Sequence, residues 1–254
     1  MRNGLKSFLA STLLLVSASG RAQDDAYPVP FLRFNADIYT VLDFAPGDSV
    51  YGLRLHLSQT VVSPTLVEAG PVAASFLYYV RPRPVASVRY AFFVDTSELI
   101  GATVATRSFQ IFAASSPVVV SGWPQLLTIN LVGSNPFPAL RLTTPRGGKA
   151  LEQRVVPLMA ASAMVRVEIN VGAGTAGNVR YWIDADYTDP PTGILDDAGA
   201  GLDNAAWSGV IAAAIGMSST TSGFRANCGG TLAINHITSS DDLLFWQTFE
   251  SGYQ

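Results

Sequence analysis

The chain has 254 residues, of which 48% are hydrophobic and 14% charged, with 16 basic residues against 19 acidic ones and a net charge of −3. This negative balance disfavours nucleic acid as a partner, because phosphate backbones are bound mainly through lysine and arginine. The single cysteine, Cys228, excludes an intramolecular disulfide framework.

The first 22 residues have the layout of a secretory signal peptide. Arg2 and Lys6 precede an apolar run from Phe8 to Val16, and the small residues Gly20 and Ala22 precede the expected cleavage site. Removing this segment leaves 13 basic residues against 19 acidic ones, a net charge of −6. No later apolar segment reaches the roughly 20 residues that a membrane-spanning helix needs. We therefore expect a secreted or periplasmic protein that does not span the membrane.

Short runs in which apolar and polar residues alternate follow along the chain, as expected for strands with one face on a core. Glycine, proline, serine and asparagine separate them. These runs are Tyr51 to Leu57, Leu127 to Leu131, Leu140 to Thr143, Val165 to Val171 and Val179 to Asp184. Tyr90 to Val94 and Val118 to Val120 are continuously apolar, which predicts burial on both faces. Ala205 to Met217 contains two glycines and is interpreted as strand rather than helix.

The sequence contains many short strand patterns and no clear pattern of a long amphipathic helix. This predicts an all-β fold, an antiparallel jelly-roll β-sandwich. No linker divides the chain, so we expect a single domain over residues 23–246, followed by a short C-terminal tail, 247–254.

One hairpin can be specified further, across the turn GAGTAGN. Placing Val171 opposite Val179 puts Ile169 opposite Tyr181 on an apolar face. The other face then matches Arg166 with Asp184, Glu168 with Trp182 and Asn170 with Arg180. Shared apolar and polar faces and one opposite-charge pair favour this register.

Three segments together resemble the concanavalin A-like lectin/glucanase superfamily in its laminin-G-like, jelly-roll form. They are RYAFFVDTSEL (89–99), MVRVEINVGAGTAGNVRYWIDAD (164–186) and GTLAINHITSSDD (230–242). The resemblance implies a β-sandwich and a glycan-related role. Laminarinase-type members carry a strand with Glu-x-Asp-x-(x)-Glu, in which one position is optional, and no glutamate of this chain stands in that arrangement. The tail LLFWQTFESGYQ resembles an aromatic, Phe-Glu-containing tail of exported proteins from Gram-negative bacteria, or is a terminal segment docked by its aromatic rings.

The segment after the hairpin is rich in aspartate. A calcium site built from Asp186, Asp189, Asp196 and Asp197 is one interpretation, because hard cations take several carboxylate and carbonyl oxygens. The EF-hand loop is excluded, since Asp189 stands where that loop needs glycine and Leu195 where it needs glutamate. The alternative is a solvated loop in which aspartate, proline and glycine make turns.

Ligand-binding candidates lie on the polar face of the hairpin and are Trp182, Arg180, Asn170 and Glu168. An exposed Trp182 ring would stack on the C–H face of a pyranose while its polar neighbours hydrogen-bond the sugar. Packing in the core is the alternative, since tryptophan is highly buried on average. Trp123 and Trp207 are second choices for stacking.

Catalytic residues are not evident. Arg54 and His56 share the polar face of one strand, and together with a tyrosine they could serve a β-eliminating polysaccharide lyase. Nothing beyond the pair supports that role, and polar side chains facing solvent explain these residues adequately. His236 is interpreted as a structural histidine and Cys228 as an inert thiol. No serine-nucleophile motif is present.

These observations predict an exported, non-catalytic jelly-roll protein that binds a glycan or a cell-surface partner. A hydrolase or lyase of the same fold, and a structural envelope protein without a ligand, are the alternatives. Neither an enzymatic cofactor nor a nucleic acid partner is expected, and calcium is the one candidate ion.

Overall fold

The computed structural model describes residues 31–34, 37–40, 51–56, 61–63, 66–67, 75–100, 108–147, 150–196, 199–220 and 229–239. The expected signal peptide, the C-terminal tail and Cys228 lie outside these ranges. Within them the regular structure is β-strand, with two short 3-10 helices at Gly174–Ala176 and Ala205–Trp207. No helix in this part of the chain is long and apolar enough to cross a membrane.

The described residues form two large sheets, and the first has seven strands, all paired antiparallel. In spatial order they are β1 (Phe31–Phe34), β6 (Ser75–Val85), β16 (Val210–Thr220), β9 (Ser108–Val120), β10 (Trp123–Val132), β11 (Ala139–Arg146) and β12 (Ala150–Pro157).

In the part of the chain that the structure describes, the second sheet has eight strands, also antiparallel. Their order is β15 (Gly193–Leu195), β14 (Asn178–Ile183), β13 (Ser162–Asn170), β7 (Ser87–Asp95), β17 (Gly229–Ser239), β3 (Tyr51–His56) and β2 (Asp37–Thr40), while β8 (Leu99–Ile100) also pairs with β17. A separate ribbon joins β4 (Val61–Ser63) to β5 (Leu66–Val67).

The two sheets enclose one apolar core. Phe112 of β9 packs on two rings of β7, edge-to-face with Tyr90 at 5.2 Å and nearly parallel to Phe92 at 5.6 Å between ring centroids. Such pairs add a specific aromatic attraction to the burial of apolar area. The alternating strands β13 and β14 contribute Val167 and Val179, both fully buried. The predicted all-β, antiparallel jelly-roll sandwich is therefore confirmed.

Two predicted strand segments differ in part from the structure. Val118 and Val119 are exposed rather than buried on both faces, because they lie near the tip of the β9–β10 hairpin, beyond the covered part of the sheet. The segment Ala205 to Met217 begins with a 3-10 turn and continues as β16, so its interpretation as strand is confirmed from Val210 onward. There β16 pairs with β6 and β9, and this pairing outweighs the low strand propensity of its glycine, Gly216.

Candidate functional site

The outer face of the second sheet carries the polar residues singled out from the sequence. Along β13, Val165, Val167 and Ile169 face the core, so Arg166, Glu168 and Asn170 stand on the opposite side. β13 lies between β7 and β14, so each of these polar positions has a neighbour on either side. The three segments that carried the superfamily resemblance lie in β7, β13–β14 and β17, which are adjacent in this one sheet.

The predicted hairpin register is wrong by two residues. Glu168 lies opposite Arg180, and Asn170 opposite Asn178, where Arg180 was expected opposite Asn170. The side-chain amide of Asn170 donates a hydrogen bond to Asn178 Oδ1 at 3.0 Å. The pair next to the turn is therefore Asn170 with Asn178, where the predicted register had Val171 with Val179. Because side chains alternate with a period of two, a two-residue shift leaves both faces unchanged. The polar and apolar faces were therefore predicted correctly although the pairs were not.

The predicted charge pair between Arg166 and Asp184 is also replaced. Asp184 has a positive φ of 55° and leaves the strand, and its Oδ1 accepts the backbone N–H of Met164 at 2.8 Å. Arg166 instead forms an ion pair with Asp186 at 2.8 Å.

Glu168 lies at the centre of a group of four side chains from three strands. Its Oε2 accepts a hydrogen bond from Arg89 Nε at 2.6 Å, and its Oε1 accepts one from the Asn170 amide at 2.9 Å. Arg180 Nη1 lies 3.5 Å from the same Oε1. The Glu168 side chain is only 8% exposed, while the side chains of Arg89 and Arg180 are 48% and 45% exposed. A buried acidic side chain thus holds two half-exposed arginine side chains on either side of it.

The protonation of Glu168 follows from these contacts. Burial on its own would raise the pKa of the carboxyl, because a low-dielectric environment disfavours the charge. Hydrogen bonds from Asn170 and Arg89, and the positive charges of Arg89 and Arg180, outweigh burial and hold the pKa below its ordinary value of 4.5. Glu168 is therefore ionised at neutral pH and acts as an acceptor, not as a proton donor.

This environment makes stability depend on the charge of Glu168 in acid. Its pKa is lower in the folded than in the unfolded chain, so its contribution is present above the unfolded value and is lost as the pH falls through the folded one. We predict that the melting temperature of the wild type falls more steeply below about pH 4.5 than that of Glu168→Gln. At neutral pH the variant should be less stable by about 1–2 kcal/mol. Glu98→Gln, an exposed control, should keep the wild-type pH profile, and parallel profiles for all three proteins would contradict this account.

Tyr187 covers one side of the Glu168 group. The centre of its ring lies 4.9 Å from the guanidinium carbon of Arg89. Its hydroxyl donates a hydrogen bond to the backbone carbonyl of Tyr90 at 2.6 Å and lies 3.2 Å from the backbone carbonyl oxygen of Val167, its second acceptor. Burial raises the pKa of the Tyr187 hydroxyl far above its ordinary value, and the nearby charges of Arg166 and Arg89 oppose this only in part. Tyr187 is therefore a neutral, anchored side chain that orients Arg89.

Trp182 lies on this face as predicted, and of the two interpretations of its ring, exposed for stacking or packed, the packed one agrees with the structure. It is 3% exposed, its Nε1 donates to the carbonyl of Asp189 at 2.9 Å, and its ring packs edge-to-face on Tyr187 at 4.9 Å. The aspartate-rich segment folds back over it and is held by a hydrogen bond from the Ile183 N–H to Thr192 Oγ1. A ring buried in this way has no free face for stacking on a sugar in this conformation.

The proposed calcium ligands do not come together in the described part of the chain, where no group of three histidine, cysteine or acidic side chains has the spacing of a metal site. Asp186 pairs with Arg166, and Asp189 Oδ2 accepts the Asp186 N–H at 2.9 Å. Asp196 is described, whereas Asp197 lies outside the described residues. Asp186 and Asp189 therefore make the turn that covers Trp182.

The remaining candidates are spread over the molecule. Arg54 and His56 lie in β3, where they pair in register with Ala233 and Thr231 of β17; the side chains of both, and that of His236, lie outside the described part of the structure. Trp123 is exposed on the first sheet, and Trp207 is fully buried.

Sequence reasoning missed the roles of Arg89, Tyr187 and Asn178. Arg89 occupies an alternating position of β7, which marks it as facing outward. Its partner Glu168, however, is 79 residues away in the sequence. Only the order of the strands brings the two together.

Comparison with known proteins defines the fold and leaves the activity open. No family model and no curated protein matches the sequence. Among solved structures, an endo-β-1,4-glucuronan lyase from the fungus Trichoderma reesei is similar with a TM-score of 0.52 and 11% identity, over 85% of this chain and 91% of the lyase.

Two further structures illustrate the range of proteins with similar sandwiches. An alginate lyase from Pseudomonas aeruginosa has a TM-score of 0.46 and 12% identity, over 74% of this chain and 82% of that one. The botulinum neurotoxin serotype G binding domain has a TM-score of 0.49 and 8% identity, over 90% of this chain and 46% of that one. At such identities the likeness concerns the fold alone.

Proposed function

We propose that this protein is an exported, non-catalytic jelly-roll module that binds an acidic glycan on the outer face of its second sheet. The observation that carries the proposal is the pair of half-exposed arginine side chains, Arg89 and Arg180, held on either side of the buried Glu168 side chain.

The charges of this group favour an anionic ligand. Two guanidinium groups, those of Arg89 and Arg180, lie against the one Glu168 carboxylate on a protein that is negative overall. Glu168 is nearly enclosed, so it fixes the two arginines without presenting its own charge to solvent. Arginine binds carboxylates through a planar fork of donors, and hydrogen bonds to charged groups are stronger than neutral ones. A sugar carboxylate suits this arrangement better than a neutral sugar.

The choice of a glycan rests on the fold and on the expected export. A glucuronan lyase with a similar fold acts on a polymer of sugar acids, which supports uronate-containing chains as the ligand class. The expected signal peptide would place the protein where such polymers occur. In this proposal Asn170 and Trp182 act indirectly, Asn170 by binding Glu168 and Trp182 by supporting Tyr187.

Loss of Arg180 should weaken binding strongly. In a titration calorimeter we expect the protein to bind oligomers of a uronic acid, but not a neutral β-glucan of equal length. Arg180→Gln should lower the affinity for the acidic oligomer by about 10- to 100-fold, the effect of one charge-assisted contact. Arg83→Gln, which removes an exposed arginine of β6 in the other sheet, should leave the affinity unchanged. Equal affinities for acidic and neutral glycans, or equal losses in both variants, would overturn the proposal.

A β-eliminating lyase is the second candidate, favoured by the similarity to the glucuronan lyase over most of both chains. In such a reaction a base removes the proton at C5 of the uronate, a double bond forms between C4 and C5, and the O4 leaving group departs with a proton. Tyr187 does not suit the role of base, because its hydroxyl is bound to backbone carbonyls. Ultraviolet absorbance of the unsaturated product separates the two candidates: its appearance in proportion to enzyme would favour the lyase and contradict a non-catalytic module.

A further inference from the structure

The first sheet ends in an open edge. β12 is its last strand and pairs with β11 along all eight residues, and within the described ranges no other strand pairs with its outer side. An edge strand presents backbone N–H and C=O groups that another strand can bind, and proteins usually protect such edges with charged side chains, proline, bulges or short length. The eight paired residues of β12 run without a register shift, its two charged residues are of opposite sign, and its proline, Pro157, is the last residue of the strand. This edge is therefore a regular template for a further strand.

The side chains at the centre of β12 are arranged so that residues at equal distances from Gln153 are complementary in chemical type. The central residues are Leu151, Glu152, Gln153, Arg154 and Val155. Leu151 and Val155 are 42% and 52% exposed, and Gln153 and Arg154 are exposed as well. Within the described part of the chain neither Glu152 nor Arg154 has an ion-pair partner. Apolar residues at both ends, opposite charges inside them and a polar residue at the centre suit pairing with an identical strand.

We propose that the protein forms a two-fold symmetric dimer in which the β12 strands of two copies pair antiparallel, centred on Gln153. In this register Glu152 lies opposite Arg154 of the second copy, and Arg154 opposite its Glu152. Leu151 lies opposite Val155 and Val155 opposite Leu151, so both apolar pairs and both ion pairs form at once. A two-fold axis makes each pair occur twice, which is the self-complementarity that an isologous interface requires. The two seven-stranded sheets then continue across the interface.

The adjoining edge of the second sheet enlarges the same side of the molecule. β12 contacts β15, the edge strand of the other sheet, so the two open edges lie side by side. Ile194 of β15 is also among the exposed large apolar side chains. Pairing through this side places Leu151, Val155 and Ile194 near the partner copy, on the opposite edge of the fold from β1 and β2.

Charge reversal tests the partner and the register together. We expect the purified wild-type protein to sediment as a dimer at micromolar concentration. Glu152→Arg and Arg154→Glu should each weaken the dimer by about tenfold or more, because each places two like-charged pairs at the interface. The double variant restores opposite charges and should recover the dimer. A mixture of the two single variants should form a heterodimer for the same reason.

Two controls keep the result interpretable. Glu98→Arg reverses an exposed charge away from β12 and should leave the dimer unchanged. In a Cys228→Ser background, Gln153→Cys should form an intermolecular disulfide on oxidation, whereas Leu151→Cys, which faces Val155 rather than itself, should not. A monomeric wild type at every concentration tested, a dimer indifferent to both single charge reversals, or equal cross-linking at the two cysteine positions would each overturn the proposal.

Discussion

Replacing Trp182 with alanine is expected to lower the free energy of unfolding by about 3–5 kcal/mol, the usual cost of removing a buried tryptophan. Trp182 is 3% exposed and loses its contact with Tyr187 and its hydrogen bond to Asp189 in this variant. The segment that carries Tyr187 should then loosen, and because Tyr187 packs on Arg89, the affinity for an acidic glycan should fall as well. Denaturant unfolding and calorimetry measure the two effects.

Trp123→Ala is the matched control for this change. Trp123 is 41% exposed, so its removal should cost less than about 1 kcal/mol and leave glycan affinity unchanged. A loss of stability below about 1 kcal/mol in Trp182→Ala would mean that Trp182 is not a buried packing residue. A variant that is destabilised yet binds the glycan with full affinity would show that Trp182 does not support the arginines.

Replacing Trp207 with alanine should destabilise the fold by a similar amount, about 3–5 kcal/mol, without an effect on glycan affinity. Trp207 is fully buried, its Nε1 donates to the carbonyl of Trp123 at 3.0 Å, and its own carbonyl accepts a hydrogen bond from Ser116. These contacts fasten the 3-10 turn to the β9–β10 hairpin of the first sheet, away from the Glu168 group.

Trp207→Phe separates the two contributions of this side chain. The ring that remains fills much of the space, so the loss should shrink to that of the missing hydrogen bond and the residual gap, about 1–3 kcal/mol. Equal losses in the alanine and phenylalanine variants would contradict an account based on packing. A fall in glycan affinity in either folded variant would place the binding face elsewhere than on the second sheet.

The faces of the hairpin strands were predictable because each strand carries its own period of two. Val167 and Val179 alternate with charged residues, and this pattern marks the buried side whatever the partner. The register was not predictable from the same pattern, since a shift by two residues preserves both faces. The hydrogen bond between Asn170 and Asn178 and the ion pair of Glu168 with Arg180 select the observed register. The expected register offered one opposite-charge pair, Arg166 with Asp184.

Part of the candidate site could be predicted from the sequence, again because side chains alternate between the two faces of a strand. Glu168, Asn170 and Arg180 belong to one local hairpin, and their common face follows from the sequence. Arg89 reaches Glu168 only because β7 lies beside β13, a long-range pairing without a local pattern. The burial of Trp182 depends on the path of the aspartate-rich segment, and its turn-forming composition indicates a loop without indicating what that loop covers.

Hydrogen exchange of the protein with and without a saturating acidic oligosaccharide tests most directly whether the outer face of the second sheet is the binding face. We expect slower exchange of backbone amides in β14 and in the following segment, residues 184–192, with little change in β10 and β11 of the first sheet. Arg180→Gln should remove this protection. Protection confined to the first sheet, or no protection at an oligosaccharide concentration at which calorimetry detects binding, would contradict the proposed site.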